Sequence, residues 1–208
     1  MSEEKHKRVD GLETMERLLS FADVELNEVG SVKFNLGRVL EKAQVSKSSA
    51  YHHFGSRDGI IAAVEARSVA VEIEQVNLQV RAFVESAQDV NTAVEYLKIL
   101  VYFTSDSSGV RARRRRAATL VAAQNSQTLA EIIGQTQRDG AQYLAETFQI
   151  VEDRGWISPS VPLLGIAHWM LASAFGHILV DYVDDPLANE LWAEATFTSL
   201  ISLLKPNI

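Results

Sequence analysis

Lys47, Ser48 and Ser49 follow directly on Ser46 and precede Ala50, Tyr51, His52, His53 and Phe54. A cation and short hydroxyls at the start of a helix, with further donors one turn on, suit hydrogen bonding to base edges and phosphates. Lys47, Ser48 and Ser49 are small or flexible enough to reach the floor of a major groove. Ala50 and Phe54, four apart, fall on one helix face and can anchor it inward. Tyr51, His52 and Lys42 can donate to phosphate oxygens, which fixes register without reading sequence. The chemistry these residues suggest is recognition of double-stranded DNA, with no bond made or broken.

Other chemistry-bearing groups carry less. His52 and His53 are adjacent, so on a helix they diverge by about 100° and cannot readily share one metal ion. His177 and Asp181 have the four-residue spacing of a helical ligand pair, but His168 lies on another face and no further ligand spacing supports a site. No metal and no cofactor are expected. The chain has no cysteine, which removes disulfides, thiolate sites and cysteine nucleophiles together. There is no phosphate loop, no HExxH and no nucleophile elbow, so the sequence does not read as an enzyme. Arg111, Arg113, Arg114, Arg115 and Arg116 are the densest charge in the chain. Taken alone, such a run suggests nucleic acid or an anionic ligand; spread around a helix it reads as a solvated face, or as partners for the acids of the first helix, Glu13, Glu16, Asp23, Glu25 and Glu28.

The elements that must position Lys47 to Tyr51 are legible from periodicity. Leu12, Met15, Leu19, Ala22, Leu26 and Val29 recur at spacings of three and four, an amphipathic stripe that Gly30-Ser31 ends. Asn35 suits the N-cap of a short helix over 36–43, with Val39, Leu40 and Ala43 inward. Ser46 suits the N-cap of a third helix that runs to Phe54, and Gly55 suits the left-handed position that closes it. Ser56 can cap a long fourth helix with Asp58 in its first turn. Helices are expected over 90–103, 111–124, 127–151, 163–183 and 189–204. The breaks between them fall at Thr104-Ser105-Asp106-Ser107-Ser108-Gly109, Gly155-Trp156-Ile157-Ser158-Pro159 and Asp184-Asp185-Pro186. No alternating strand pattern is present. The fold class is all-α: an N-terminal tri-helical helix-turn-helix domain, then a larger helical domain.

The run Val39-Leu40-Glu41-Lys42-Ala43-Gln44-Val45-Ser46-Lys47-Ser48-Ser49-Ala50-Tyr51-His52-His53-Phe54-Gly55-Ser56-Arg57-Asp58-Gly59-Ile60 resembles the signature of the TetR family of transcriptional regulators. The match covers about residues 30–65; beyond it, length, helical content and the Gly155–Pro159 break agree. The resemblance implies DNA contacts from Asn35, Arg38, Lys47, Ser48, Ser49, Tyr51, His52 and His53, with Arg57 where the family commonly has a phosphate-binding lysine. It implies a DNA-binding domain over 1–58 and an effector-binding and dimerisation domain over 59–208. It further implies a homodimer on a pseudo-palindromic operator, released, in the commoner repressor mode, by a small-molecule effector. Tyr96, Phe103, Gln124, Tyr143, Trp169 and Phe175 are the pocket candidates. Ile166, Met170, Ala174, Trp192, Phe197, Leu200, Ile201 and Leu204 are the dimer-interface candidates. In two places the chain departs from the family pattern. Gln44 replaces the glycine usual in the turn, placing a side chain at positive φ at a cost of about 1 kcal/mol. Leu36 and Gly37 leave the second helix poor in donors, which keeps open a helical interaction module without sequence-specific DNA binding.

Charge agrees with this reading only segment by segment. The chain of 208 residues carries a net charge of −7. Residues 9–28 hold one cation, Arg17, against six acids, whereas 29–58 hold Lys33, Arg38, Lys42, Lys47 and Arg57 against Glu41 and Asp58. Only the face that meets phosphate has to be basic. The charged opening residues lack the apolar core of a signal peptide, and no apolar stretch is expected to reach the roughly 20 residues of a membrane span. A cytoplasmic protein without a membrane partner is the expectation.

Overall fold

The computed structural model describes residues 2–106, 109–183, 185 and 187–208, with side chains described from Glu13 onward except those of Arg111, Ala112 and Arg115. Ser107, Ser108, Asp184 and Pro186, and the side chains of Leu12, Arg111 and Arg115, all named above, therefore lie outside what is described. The described residues form helices α1 (Ser2–Lys33), α2 (Leu36–Ala43), α3 (Lys47–Phe54), α4 (Arg57–Ser86), α5 (Val90–Thr104), α6 (Val110–Ala123), α7 (Gln127–Asp153), α8 (Leu163–Gly176) and α9 (Leu187–Leu204). A 3₁₀ turn over His177–Tyr182 takes the place of the last turns expected of α8. Tightening to three residues per turn is common where an α-helix ends.

Two compact units divide the chain: Met1–Val69 with Ala118–Ile133, and Ala70–Ala117 with Gly134–Ile208. This differs from a division at residues 58 and 59. α4 continues in the first unit as far as Val69, because Ile60, Ala63, Val64 and Ala66 are buried in the same core as Phe54. The tip of the α6–α7 pair also belongs to that core, through Leu129 and the partly buried Ala122, Ala123, Ile132 and Ile133.

In the first unit, Met15, Leu19 and Ala22 of the expected α1 stripe, and Leu18 beside it, are buried with Leu36, Val39 and Ala43 of α2 and Ala50 and Phe54 of α3. Gly30 at φ 72° breaks the helical geometry where the sequence placed the end of α1. In the second unit, Val80, Leu144, Phe148, Ile166, Ala167, Ala193, Leu200 and Leu204 form a separate core. Its C-terminal end is closed by backbone pairing between the loop after α7 and the residues after α9. Ser158 donates to the Leu204 carbonyl at 3.1 Å, Ser160 to Leu203 at 2.9 Å, and Asn207 to Trp156 at 2.9 Å. The first two of these bonds satisfy α9 carbonyls that have no partner within the helix.

Leu163–Tyr182 is one stretch long and apolar enough to cross a membrane by length and composition, contrary to the expectation that none exists. It is apolar on two sides for different reasons: Ile166 and Ala167 are buried in the core, while Leu164, Trp169 and Leu179 are exposed.

Candidate functional site

Caps and turns put α3 in place. Asn35 at the N-cap of α2 accepts the Arg38 N–H at 3.2 Å, and Ser46 at the N-cap of α3 accepts the Ser49 N–H at 3.1 Å. Gln44 sits in the left-handed region at φ 55°, ψ 42°. Its N–H donates to the Glu41 carbonyl and that of Val45 to Leu40, a Schellman closure with glutamine in glycine's position. Gly55 at φ 75° closes α3, its N–H donating to Tyr51 at 2.8 Å. Ser56 accepts the Gly59 N–H at 3.0 Å. A Cβ on Gly59 would stand 1.8 Å from the Phe54 carbonyl oxygen, so only glycine lets α4 start this close to the end of α3.

Ala50 and Phe54 are buried, while Lys47, Ser48 and His52 are exposed and Ser49, Tyr51 and His53 half-buried. Lys47 lies over the Tyr51 ring at 5.2 Å, which holds two donors of one face together. The His52 and His53 rings meet edge to face at 5.3 Å, and His53 leans on Phe54 at 6.3 Å; the pair is packed rather than convergent. Asn35, Arg38 and Lys42 are exposed on or before α2. The structure thus brings nine of the ten expected contact residues to the exposed part of α2 and α3 or its edge.

Arg57 is placed differently. Its guanidinium donates to the Ser31 carbonyl and, at 3.3 Å, to that of Phe34, pairs with Asp58 at 2.9 Å and covers the Phe34 ring at 5.4 Å. It ties the α1–α2 turn to the start of α4 instead of reaching outward. Two α1 residues read only as charge also do positioning work. Arg17 donates to the Ala43 carbonyl at 2.9 Å, meeting the C-terminal end of α2. Glu25, 2% exposed, accepts the Asn35 N–H at 3.3 Å and faces Arg38 Nε at 3.7 Å. A carboxylate there complements the positive N-terminal end of α2. The ten-residue separation of Glu25 and Asn35 gave no sequence signal.

Two cavities of the second unit are lined by α4 and α5. One, of about 160 Å³, is lined by Val80, Leu100, Met170 and Leu200 and by Asn77, Ser105, Arg113, Arg116 and His177 among others. The other, of about 50 Å³, is lined by Phe83, Leu97, Phe148 and Ile201 among others. Of the pocket candidates, Tyr96 lines the smaller cavity. Phe103 is 74% exposed, Trp169 is exposed, Tyr143 packs under Arg81 at 5.5 Å, and Phe175 lines neither cavity. Gln124 is exposed and belongs to the first unit.

Arg113 carries the wall of the larger cavity. Its side chain, 4% exposed, makes a bidentate pair with the fully buried Asp181 at 2.6 and 2.7 Å and donates to the Thr104 and Asp106 carbonyls, each at 3.1 Å. Those hydrogen bonds hold the Asp181 carboxyl below its ordinary value. His177 stacks on Trp192 at 5.2 Å and bonds Asn189 at 2.8 Å; burial pushes its pKa down. Arg116 donates to Glu72 at 3.1 Å, and Arg114 covers the Tyr182 ring at 5.1 Å. These three arginines thus have partners inside the second unit; pairing with the acids of α1 was one of the readings of the cluster. No group of three metal-ligating side chains occurs among the described residues.

Among the dimer-interface candidates, Ile166, Leu200 and Leu204 are core residues, buried to 3% exposure or less. Met170, Trp192, Phe197 and Ile201 are half-buried and Ala174 is exposed. The exposed apolar side chains of these elements are Leu164, Trp169, Leu179, Leu187 and Leu191.

No protein-family model matches the sequence, and no curated protein matches it. Solved structures do match over nearly the whole chain. A protein from Mesorhizobium loti described as a TetR-family transcriptional regulator aligns with a TM-score of 0.56 at 16% identity, covering 92% of this chain and 96% of its own. A TetR transcription regulator from Haloarcula marismortui aligns at 0.54 with 13% identity, covering 92% and 98%. A transcriptional regulator from Rhodococcus aligns at 0.52 with 22% identity, covering 93% and 98%. The chain has the all-helical fold of TetR-family regulators.

Proposed function

We propose that this chain is a DNA-binding transcriptional regulator that works as a homodimer and is released from a pseudo-palindromic operator by a small molecule held in its second unit. The observation that carries the reading is α3. It is a two-turn helix capped at both ends and anchored by Ala50 and Phe54, with Lys47, Ser48, Tyr51 and His52 at or near the solvent. That is the size and chemistry a major groove accepts. Asn35, Arg38 and Lys42 add phosphate donors beside it, and Arg57 acts as a positioning residue for the α1–α2 turn. Leu164, Trp169, Leu187 and Leu191, with Met170, Ala174, Trp192, Phe197 and Ile201, supply an apolar surface suited to a second copy. Repression follows if the operator overlaps a promoter.

In-vitro selection from a random duplex library at physiological salt tests the reading. The expected result is one enriched pseudo-palindrome with half-sites about one helical turn apart, lost in the Lys47→Ala/Tyr51→Ala double variant. Enrichment of no sequence, both before and after refolding to strip bound ligand, sinks it. The second reading, an interaction module without specific DNA binding, draws on the acidic α1 and on Leu36 and Gly37 in the first turn of α2; it predicts that negative result.

A further inference from the structure

The two cavities lined by α4 and α5 adjoin at shared residues. α4 lines the larger with Ile73, Val76, Asn77 and Val80, and the smaller with Val80, Phe83 and Val84. α5 follows the same course in reverse, with Ser105, Thr104, Val101 and Leu100 on the larger, then Leu100, Leu97, Val94 and Val90 on the smaller. Val80 and Leu100 are common to both. At 1.5 Å per residue, the helical stretch from Ile73 to Val84 covers about 16 Å.

The chemistry changes along that length. The larger cavity presents the guanidiniums of Arg113 and Arg116, the His177 ring, the Asn77 amide and the hydroxyls of Ser105 and Thr196. Among the described residues no carboxylate lines either cavity; Asp181 and Glu72 hold the two arginines without being part of the lining. In the smaller cavity Tyr96 is the one lining side chain with a polar atom, and its ring lies against Phe83 at 5.2 Å. A polar zone holding two ion-paired guanidiniums therefore adjoins an apolar one.

We infer that the effector, on the regulator reading above, is a linear alkyl carboxylate, its head group at Arg116 and its chain running past Val80 and Leu100 into the apolar end. Anionic oxygens suit a guanidinium by charge and geometry. A cationic head offers Arg116 nothing in exchange for Glu72, and a neutral alcohol can accept a hydrogen bond there but does not replace the charge pairing. The carboxylate competes with Glu72, whose side chain is 33% exposed, for the Arg116 guanidinium. Arg113 stays on Asp181, since that pair is bidentate and enclosed. Each methylene that enters the apolar end tightens binding about fourfold until the space is filled.

Calorimetric titration of the full chain with hexanoate, octanoate, decanoate and dodecanoate, kept below micelle formation, tests this against 1-octanol and octyltrimethylammonium. Carboxylates are expected to bind best, tightening with length up to a limit. Glu72→Gln is expected to tighten octanoate several-fold by removing its competitor, a sign that general disruption would not give. Arg116→Gln is expected to weaken carboxylates at least tenfold and leave 1-octanol unchanged. Val94→Phe is expected to shorten the longest chain accepted. Equal binding of acid and alcohol, preference for the ammonium, or weaker binding in Glu72→Gln overturns the inference. Operator release is measured separately. Specific DNA binding with no carboxylate binding overturns the ligand class alone, and carboxylate binding in a protein that selects no DNA overturns the regulator reading alone.

Discussion

The Arg113–Asp181 pair gives the sharpest test of how the second unit is held together. Asp181→Asn leaves a guanidinium in a site that excludes water, which costs about 3–5 kcal/mol. Arg113→Met strands the carboxylate and also removes the hydrogen bonds to the Thr104 and Asp106 carbonyls. Bonds from a charged donor contribute about 1.5–3 kcal/mol each, so this variant is expected to be the less stable of the two. The double variant buries no lone charge. It is expected to lose only the carbonyl bonds and to be more stable than Arg113→Met alone, giving a coupling of at least about 2 kcal/mol. Urea denaturation followed by tryptophan fluorescence reads the right region, since Trp156, Trp169 and Trp192 all lie in the second unit. At about 2–4 °C per kcal/mol for a chain of this size, Asp181→Asn should lower Tm by roughly 10 °C. A pH series adds a sign. Because Arg113 lowers the folded pKa of Asp181 below 3.8, its contribution is complete above that value and is lost as the pH falls through the lowered one. Asp181→Asn should lack that acid arm. Single effects that add to within about 0.5 kcal/mol would refute the reasoning, because only an accessible pair behaves independently.

Gly59→Ala forces a Cβ against the Phe54 carbonyl at 1.8 Å, and is expected to lower stability by several kcal/mol and to abolish operator binding, read by denaturation and gel shift. Gln44→Gly relieves the left-handed strain at φ 55° and should stabilise by about 1 kcal/mol, with operator preference unchanged. His177 titrates below 6.5 in the folded chain, chiefly through burial. The unfolded chain therefore binds the proton first, and stability should fall as pH drops below 6.5, a slope that His177→Gln removes. Lys42→Ala removes one phosphate contact per subunit and is expected to flatten the slope of log K against log salt by about 1.8 for a dimer, without altering the selected sequence.

What the sequence made legible was local. Asn35, Ser46, Ser56 and Gly55 act within a few residues of themselves, so their types and spacing fix caps and turns without knowledge of the fold. The inward positions of α2 and α3 follow from periodicity for the same reason. The positioning contacts of the same unit were not legible. Arg17 reaches Ala43, Glu25 reaches Asn35, and Arg57 reaches Ser31 and Phe34; each depends on how α1 crosses α2 and α4, and a charge alone does not say where its partner lies. The apolar excess of α8 and α9 was visible, but not its partition. Ile166, Leu200 and Leu204 turn inward and Leu164, Leu187 and Leu191 outward, because both faces are apolar and periodicity cannot choose between them. Of the aromatic side chains picked by type, Tyr96 lines a cavity while Phe103, Tyr143, Trp169 and Phe175 do not, because the walls are set by which face of α4 and α5 is left uncovered.

The arginine cluster shows why a charge run has to be resolved residue by residue. Arg113, three residues ahead of Arg116, is buried on Asp181, Arg116 is partly buried on Glu72, and Arg114 between them is exposed over Tyr182. One helix turn therefore carries a structural ion pair, a cavity-lining cation and a surface cation. Further along the same helix, Ala122 and Ala123 pack in the core of the first unit. α6 thus supplies residues both to the wall of the cavity and to the core that supports α3.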